Sequence, residues 1–200
     1  MIIGITGGSG SGKTRFSNSL AEALAIENCL LISQDDYYLD NSHIPPEERK
    51  KINFDHPSKI DFELLVEHLQ LLKKGNSVNS PVYSFITCER GPETTPVNAK
   101  PVIILEGIFI LFHPVLRDLL DIKIFLEASA DDRLKRISAR DMRERGRTHE
   151  EVCERFYNVV EPMHRKFVDP LRVYADLDLD HIETEACVQE VLWFLNQEET

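Results

Sequence analysis

The chain is 200 residues long, 42% apolar and 28% charged, which suits one globular domain over 1–200 with a sizeable core. Its formal net charge of −11 disfavours sequence-independent binding to nucleic acid or to an anionic membrane, because a polyanion is repelled at long range. The opening Met-Ile-Ile-Gly-Ile-Thr-Gly-Gly has no basic leader or long apolar core, so no signal peptide is expected. No run approaches the roughly 18–20 apolar residues of a membrane span.

An apolar run at 2–6 (IIGIT) reads as the first buried strand. Directly after it, Gly7-Gly8-Ser9-Gly10-Ser11-Gly12-Lys13-Thr14 matches G-x-x-x-x-G-K-[ST] in full, ahead of a helix expected over 13–26, the context a phosphate-binding loop requires. Glycines let backbone N–H groups wrap a phosphate, and the helix adds the positive end of its dipole. Lys13 then reaches the β- and γ-phosphates, and the Thr14 hydroxyl is placed to ligate Mg²⁺. A second strand at 29–33 (CLLIS) ends in Ser33-Gln34-Asp35-Asp36-Tyr37-Tyr38, so two carboxylates emerge at one sheet edge. A carboxylate that takes the proton of an attacking hydroxyl must stand between the acceptor and the γ-phosphate; Asp35, nearer the strand end, is favoured for that role.

Residues 34–60, with Pro45, Pro46 and Pro57, and 76–100, with Pro81, Pro92 and Pro96, lack a helical period and read as loops or short edge strands. Loops that long in a compact domain are usually functional or disordered. Between them a helix is expected over 61–73, where Leu64, Leu65, Leu69 and Leu72 recur at helical spacing, with Asp61 as N-cap and Gly75 as stop. A strand at 102–106 (VIILE) ends in Glu106, a carboxylate placed on or near Mg²⁺ in phosphate-loop enzymes; capping the next helix is the other role open to it. There follow a helix over 110–120, a strand at 122–127 (IKIFLE) and a helix from about 130 to 145, with Ser129 and Asp132 spaced as a capping box and Gly146 at its end. A last helix covers about 148–168, where Pro162 should kink or split it. This alternation implies an α/β three-layer fold with a central parallel sheet and helices on both faces.

No Asn-Lys-x-Asp tetrapeptide, which a GTPase would use for guanine, is present. Cys29, Cys88, Cys153 and Cys187 form no C-x-x-C pair, so neither a zinc site nor a disulfide framework is expected and a reducing cytoplasm fits. Cys29 and Cys187 lie in apolar stretches and should be buried, while Phe109-Ile110-Leu111-Phe112 should be core or subunit contact. Seven histidines without H-x-H or H-E-x-x-H spacing speak against a transition-metal centre and are expected at the surface or as caps. Arg133, Arg136, Arg140, Arg143 and Arg147 recur at spacings of 3, 4, 3 and 4, which puts most of them on one helical face. In an acidic chain such a stripe suits a triphosphate under transfer, although a solvated face has the same spacing.

A set of motifs runs along most of the chain: Gly7 to Thr14; Ser33-Gln34-Asp35 with Tyr38; Asn53-Phe54-Asp55-His56-Pro57; Pro81-Val82-Tyr83 with Phe85 and Arg90; and Leu105-Glu106-Gly107. It continues with Arg140-Asp141 leading to Glu144-Arg145-Gly146-Arg147, then Pro162-Met163-His164 and Tyr174-Ala175-Asp176. Over roughly residues 2–178 this set resembles the uridine kinase (uridine–cytidine kinase) family of P-loop kinases. The resemblance implies phosphorylation of the 5′-hydroxyl of uridine or cytidine with ATP and Mg²⁺. It also implies a substrate-binding insertion built from 34–60 and 76–100, an arginine-rich lid over about 133–155, and a homo-oligomer with a small nucleoside as its partner. By the same resemblance Asp35 is the general base and shares the Mg²⁺ site with Thr14 and Glu106, Gly7 to Thr14 cradle ATP, and Lys13, Arg140, Arg145 and Arg147 surround the phosphates. Asp55 would hold the ribose hydroxyls, Tyr83 and Phe85 would flank the base with Tyr38 nearby, and Arg140 would also reach the acceptor.

Three positions depart from the family pattern. Cys88 stands where a His would hydrogen-bond the pyrimidine edge, and a thiol is a weak donor and acceptor. Arg155-Phe156 replaces Gln-Tyr, and Asp180-His181-Ile182-Glu183 replaces a Gly-rich, Asn-containing stretch. Cys88 leaves open a kinase of the same fold acting on another small alcohol. A nucleotide-binding regulatory protein without turnover is the third reading, against which the joint presence of Lys13, Thr14, Asp35 and Glu106 speaks.

Overall fold

A computed structural model describes residues 1–49, 51–180 and 183–198. Strand β1 (Ile2–Thr6) is wholly buried and runs through the glycine loop into helix α1 (Lys13–Ala23). After β2 (Cys29–Ser33) the chain makes 3₁₀ turns at Gln34–Tyr37 and Pro57–Lys59, then enters α2 (Phe62–Lys73). Strands β3 (Val78–Ser84) and β4 (Glu89–Val97) form an antiparallel hairpin of their own. There follow β5 (Val102–Glu106), α3 (Pro114–Leu119), β6 (Ile122–Glu127), α4 (Ala130–Glu144), α5 (His149–Arg155), β7 (Leu177–Asp180) and α6 (Thr184–Glu198).

The main sheet has the order β2-β5-β1-β6-β7 with every pair parallel, so the carboxyl ends of all five strands share one edge. Because side chains alternate along a strand, neighbours feed opposite cores. Ile103 and Leu105 pack with Leu65, Leu69 and Leu72 of α2, whereas Ile104, with Ile3 and Ile5 of β1, packs with Phe16 and Leu20 of α1 and Val188 and Val191 of α6. These two apolar layers give the three-layer fold and explain why the strands read as near-continuous hydrophobic runs. The register sets Ser33 beside Glu106 and Glu106 beside Ile5, so the ends of β2, β5 and β1 converge.

Several boundaries differ from the expectations. α1 stops at Ala23 rather than 26, since Ala25 takes a left-handed φ of 65° and the chain tightens into a 3₁₀ turn at Ile26–Asn28. The helix expected over 110–120 starts only at Pro114, which occupies the first turn; Phe109, Ile110 and Leu111 are fully buried core residues in the preceding turn. The segment 76–100 is a hairpin, in which Pro81 is tolerated because the register shifts between it and Tyr83. Around Pro162 the helical run is not uniform: π-helical turns at Phe156–Val160 and His164–Val168 stand on either side of the short α-helical piece Glu161–Met163. His68 and His164 are buried, contrary to the surface expectation; the Tyr37 hydroxyl and His68 Nδ1 are hydrogen-bonded at 3.0 Å. Cys29 and Cys187 are buried as expected, while His181 and Ile182 lie outside the described residues.

Candidate active site

The loop after β1 can only be made of glycine at its tightest points. Gly7 has φ 151° and a Cβ there would stand 2.3 Å from the Leu126 carbonyl oxygen; Gly10 has φ 79° and its Cβ would stand 2.7 Å from the Arg133 carbonyl oxygen. α4 braces the loop from behind. Arg136 Nη1 donates to the carbonyls of Gly10 (3.2 Å) and Ser11 (2.8 Å), and Arg133, 2% exposed, is ion-paired with Glu161 beneath it. His164 packs there too, and burial, with Arg133 next in weight, pushes its pKa down to about 4. Gly7, Gly8 and Ser11 are buried, whereas Ser9, Gly10, Gly12, Lys13 and Thr14 line a cleft of about 1070 Å³. Lys13 Nζ folds over the loop to donate to the Gly8 carbonyl at 3.0 Å, and burial lowers its pKa against the pull of Glu106 and Asp35.

Three oxygen-bearing side chains meet at the strand ends. Thr14 Oγ1 and Ser33 Oγ both donate to Glu106 Oε1, at 3.1 and 3.2 Å, while the Asp35 N–H donates to Ser33 Oγ at 3.3 Å. Burial, and then the Glu106 charge, push the Asp35 pKa up to about 6; Lys13, Arg140 and Arg145 act in the opposite direction. Two carboxylates repelling each other beside a hydroxyl form an all-oxygen donor set, which fits a hard cation such as Mg²⁺ better than a transition metal. Among the described residues no group of three or more His, Cys, Asp or Glu side chains is placed to hold a metal ion, so the donor set here is two carboxylates and a hydroxyl.

The arginine stripe divides into two functions. Arg133 and Arg136 support the loop; Arg140, Arg145 and Arg147 converge on Asp141, at 2.9, 3.4 and 2.5 Å, and line the cleft. Asp141 is 1% exposed, and the helical spacing of the arginines does not mark it as their anchor, since Arg145 and Arg147 reach it from beyond the helix end. Arg143 is the exception: it points to solvent and pairs with Glu144. The guanidinium of Arg145 also stacks 4.6 Å from the centroid of Phe85, joining the lid to the β3–β4 hairpin.

The far end of the cleft is walled by aromatic rings. Tyr38, Tyr83 and Phe85 lie 5.1–6.2 Å from one another by centroid, and Phe54 joins them beside Tyr38. Tyr38 Oη donates to the Phe54 carbonyl at 3.1 Å, and the Tyr83 hydroxyl is buried without a partner among the described residues. Cys88, at the hairpin tip with φ 56°, also lines the cleft, its thiol turned to the Phe85 carbonyl at 3.6 Å. Asp55, held by an N–H donation to Asn53 Oδ1 at 3.1 Å, sits between Ser9 and the lid, where Arg155 Nη2 donates to its Oδ2 at 2.9 Å. In the sequence Arg155 stands out only as a departure from the family pattern, since no local spacing links it to Asp55, 100 residues away.

A glycine loop between a central parallel strand and a helix, two carboxylates at the strand ends, and arginines lining the same cleft are the features of a P-loop kinase. The sequence pattern of the Phosphoribulokinase / Uridine kinase family matches residues 2–187, and the chain belongs to that family. It is 48% identical over 177 residues to a uridine kinase of Clostridium novyi (strain NT), covering 88% of this chain and 85% of that one. It is 43% identical to a uridine kinase of Bacillus anthracis, with 98% and 95% covered. Among solved structures, a candidate fructose transport system kinase from Silicibacter sp. TM1040 superposes with TM-score 0.74 at 27% identity, over 90% and 89% of the two chains. Phosphoribulokinase from Rhodobacter spheroides superposes with TM-score 0.65 at 15% identity, over 92% and 71%, which shows the shared fold. The chain is an ATP-dependent kinase, and no helix among its described residues is long and apolar enough to cross a membrane.

Proposed function

We propose that this kinase transfers the γ-phosphoryl group of ATP to the 5′-hydroxyl of uridine or cytidine, giving the nucleoside 5′-monophosphate and ADP in nucleotide salvage. The observation that carries this reading is that the phosphate loop and the aromatic pocket ending at Asp55 open into one cleft, with Asp35 lining the space between them. The uridine kinase relatives, which match nearly the whole chain, support it.

In this reading the acceptor base lies between Tyr83 and Phe85 beside Tyr38, and the ribose hydroxyls donate to Asp55. The 5′-oxygen forms a bond to the γ-phosphorus as the bond to the β,γ-bridging oxygen breaks, and its proton goes to a carboxylate oxygen of Asp35. A base whose pKa is about 6 is ionised at neutral pH and still basic enough to take a developing proton. Lys13, Arg140, Arg145 and Arg147 then face the charge that builds on the phosphoryl oxygens. Mg²⁺, which Thr14, Asp35 and Glu106 would hold, neutralises phosphate charge when bound.

Residues 1–200 work as one unit here, since loop, insertion and lid all line the same cleft. The four free cysteines support a reducing, cytoplasmic setting, and the acidic charge supports the absence of nucleic acid or membrane partners. Exposed Val173 and Trp193 support assembly into a homo-oligomer, which sedimentation checks. The substrate is tested with a panel of acceptors in a coupled ADP-release assay. Uridine or cytidine should give the highest kcat/KM; turnover confined to a non-nucleoside alcohol would sink the reading and favour the alternative that Cys88 keeps open.

A further inference from the structure

The β3–β4 hairpin stands apart from the main sheet, and a two-stranded ribbon is marginal by itself, so contacts beyond it must set the position of its tip. The tip carries Phe85 and Cys88 to the cleft wall, and Cys88 takes φ 56°, a left-handed value that a non-glycine residue keeps only where its surroundings impose it. Arg49, at the end of the short helical turn Pro46–Arg49, is the group that reaches the tip from the other half of the insertion. Its Nε donates to the Ile44 carbonyl at 2.6 Å and its Nη2 to the Ser42 carbonyl at 2.8 Å, which anchors it in its own loop. Its Nη1 crosses to the hairpin, donating to the Thr87 carbonyl at 3.4 Å and pairing with Glu89. Beside it Asn41, 5% exposed, donates from Nδ2 to the carbonyls of Leu39 at 3.1 Å and Cys88 at 3.5 Å.

The Arg49 side chain is 11% exposed and does not line the cleft, so it acts through the groups it holds. A guanidinium suits this place because its donors form a rigid fork that can span three carbonyls and a carboxylate at once. The tip it holds also bears Phe85, on whose ring Arg145 of the lid stacks. We propose that Arg49 is a positioning residue that clamps the hairpin tip to the 40–49 loop, so that the aromatic acceptor pocket is built before the acceptor arrives. The inference rests on the nucleoside reading above, which sets the acceptor base beside Phe85. A pocket already in its binding shape needs no ordering when the acceptor enters, and this preorganisation shows in affinity. Asp35, Lys13 and Arg140 have no bond to Arg49, so the loss falls on acceptor binding and spares the chemical step.

The test measures kcat, the KM for uridine and the KM for ATP in the unchanged chain, in Arg49→Met, which keeps an apolar stem but no donor, and in Arg49→Lys, which keeps the charge but not the fork. The KM for uridine should rise about 10- to 100-fold in Arg49→Met and by less in Arg49→Lys, with kcat and the KM for ATP within about threefold of the unchanged chain. A residue that serves only the stability of the insertion would lower the unfolding temperature and leave the KM of the folded enzyme where it was. A uridine KM within about threefold of the unchanged chain in Arg49→Met therefore overturns the proposal, as does an equal rise in the KM for ATP or a loss confined to kcat. If Arg49→Met fails to fold, Glu89→Gln decides, since it keeps Arg49 but weakens its hold on the hairpin. A rise in the uridine KM of about threefold or more then supports the proposal, and a smaller one overturns it. Failure of the nucleoside reading looks different: the unchanged chain itself would release no ADP in response to uridine, and both readings fall.

Discussion

Replacing Asp35 by Asn should remove the base and stabilise the fold at neutral pH, both from one cause. The Asp35 carboxyl is raised from 3.8 to about 6 in the folded chain, first by burial and then by Glu106. The folded state therefore binds this proton more tightly than the unfolded state. The resulting stability is fully present below pH 3.8 and is lost as pH rises through about 6. The gap corresponds to at most about 3 kcal/mol. Asp35 is half-buried at the wall of a wide cleft, so solvent screening reduces this to about 1–2 kcal/mol. The histidine beneath the loop acts with the opposite sign. His164 is pushed down from 6.5 to about 4, so its contribution is present above pH 6.5 and lost as pH falls through about 4. The whole-chain pH profile mixes the two, but subtracting the unchanged chain from Asp35→Asn cancels the histidine. Urea unfolding without Mg²⁺ or nucleotide should show the variant more stable at pH 8, with the gap closing towards pH 4. Turnover should drop by orders of magnitude while ATP still binds. Equal stability at both pH values would refute the electrostatic reasoning, and near-normal activity would remove Asp35 as the base.

Gly10→Ala, which needs φ 79° and a Cβ 2.7 Å from a carbonyl oxygen, should abolish measurable ATP binding and cost several kcal/mol of stability. Gly75→Ala, at φ 85° with nothing within 4 Å, should cost only about 1–2 kcal/mol by thermal unfolding and leave kinetics unchanged. Asp141→Asn releases Arg140, Arg145 and Arg147 from a shared buried anchor; about 3 kcal/mol of stability should go, and the KM for ATP should rise. Ser129→Ala removes the α4 cap, whose Oγ accepts from the Asp132 N–H at 3.2 Å, and should lower stability by about 1 kcal/mol without altering acceptor preference.

What could be read from the sequence followed the range of the interactions. The phosphate loop, Asp35 and Glu106 were legible because strand, loop and helix are contiguous, and parallel strands bring their carboxyl ends to one edge. The Asp61 cap of α2 and the Ser129 cap of α4 were legible for the same local reason. The hairpin at 78–97 was masked by its prolines, which a two-stranded ribbon with a register shift tolerates. β7 and α6 went unassigned although Cys187, Val188 and Val191 repeat at helical spacing and face α1. Two features of the site depend on contacts that no spacing encodes: the gathering of three arginines by Asp141, partly through residues beyond the helix end, and the pairing of Arg155 with Asp55.

The most direct test supplies the purified chain with Mg²⁺, ATP labelled in the γ-phosphoryl group, and uridine, and follows the label by mass spectrometry. The account predicts uridine 5′-monophosphate carrying the label, formed one for one with ADP and only when uridine is present. Label found only in inorganic phosphate, or ADP released at the same rate without uridine, would contradict it.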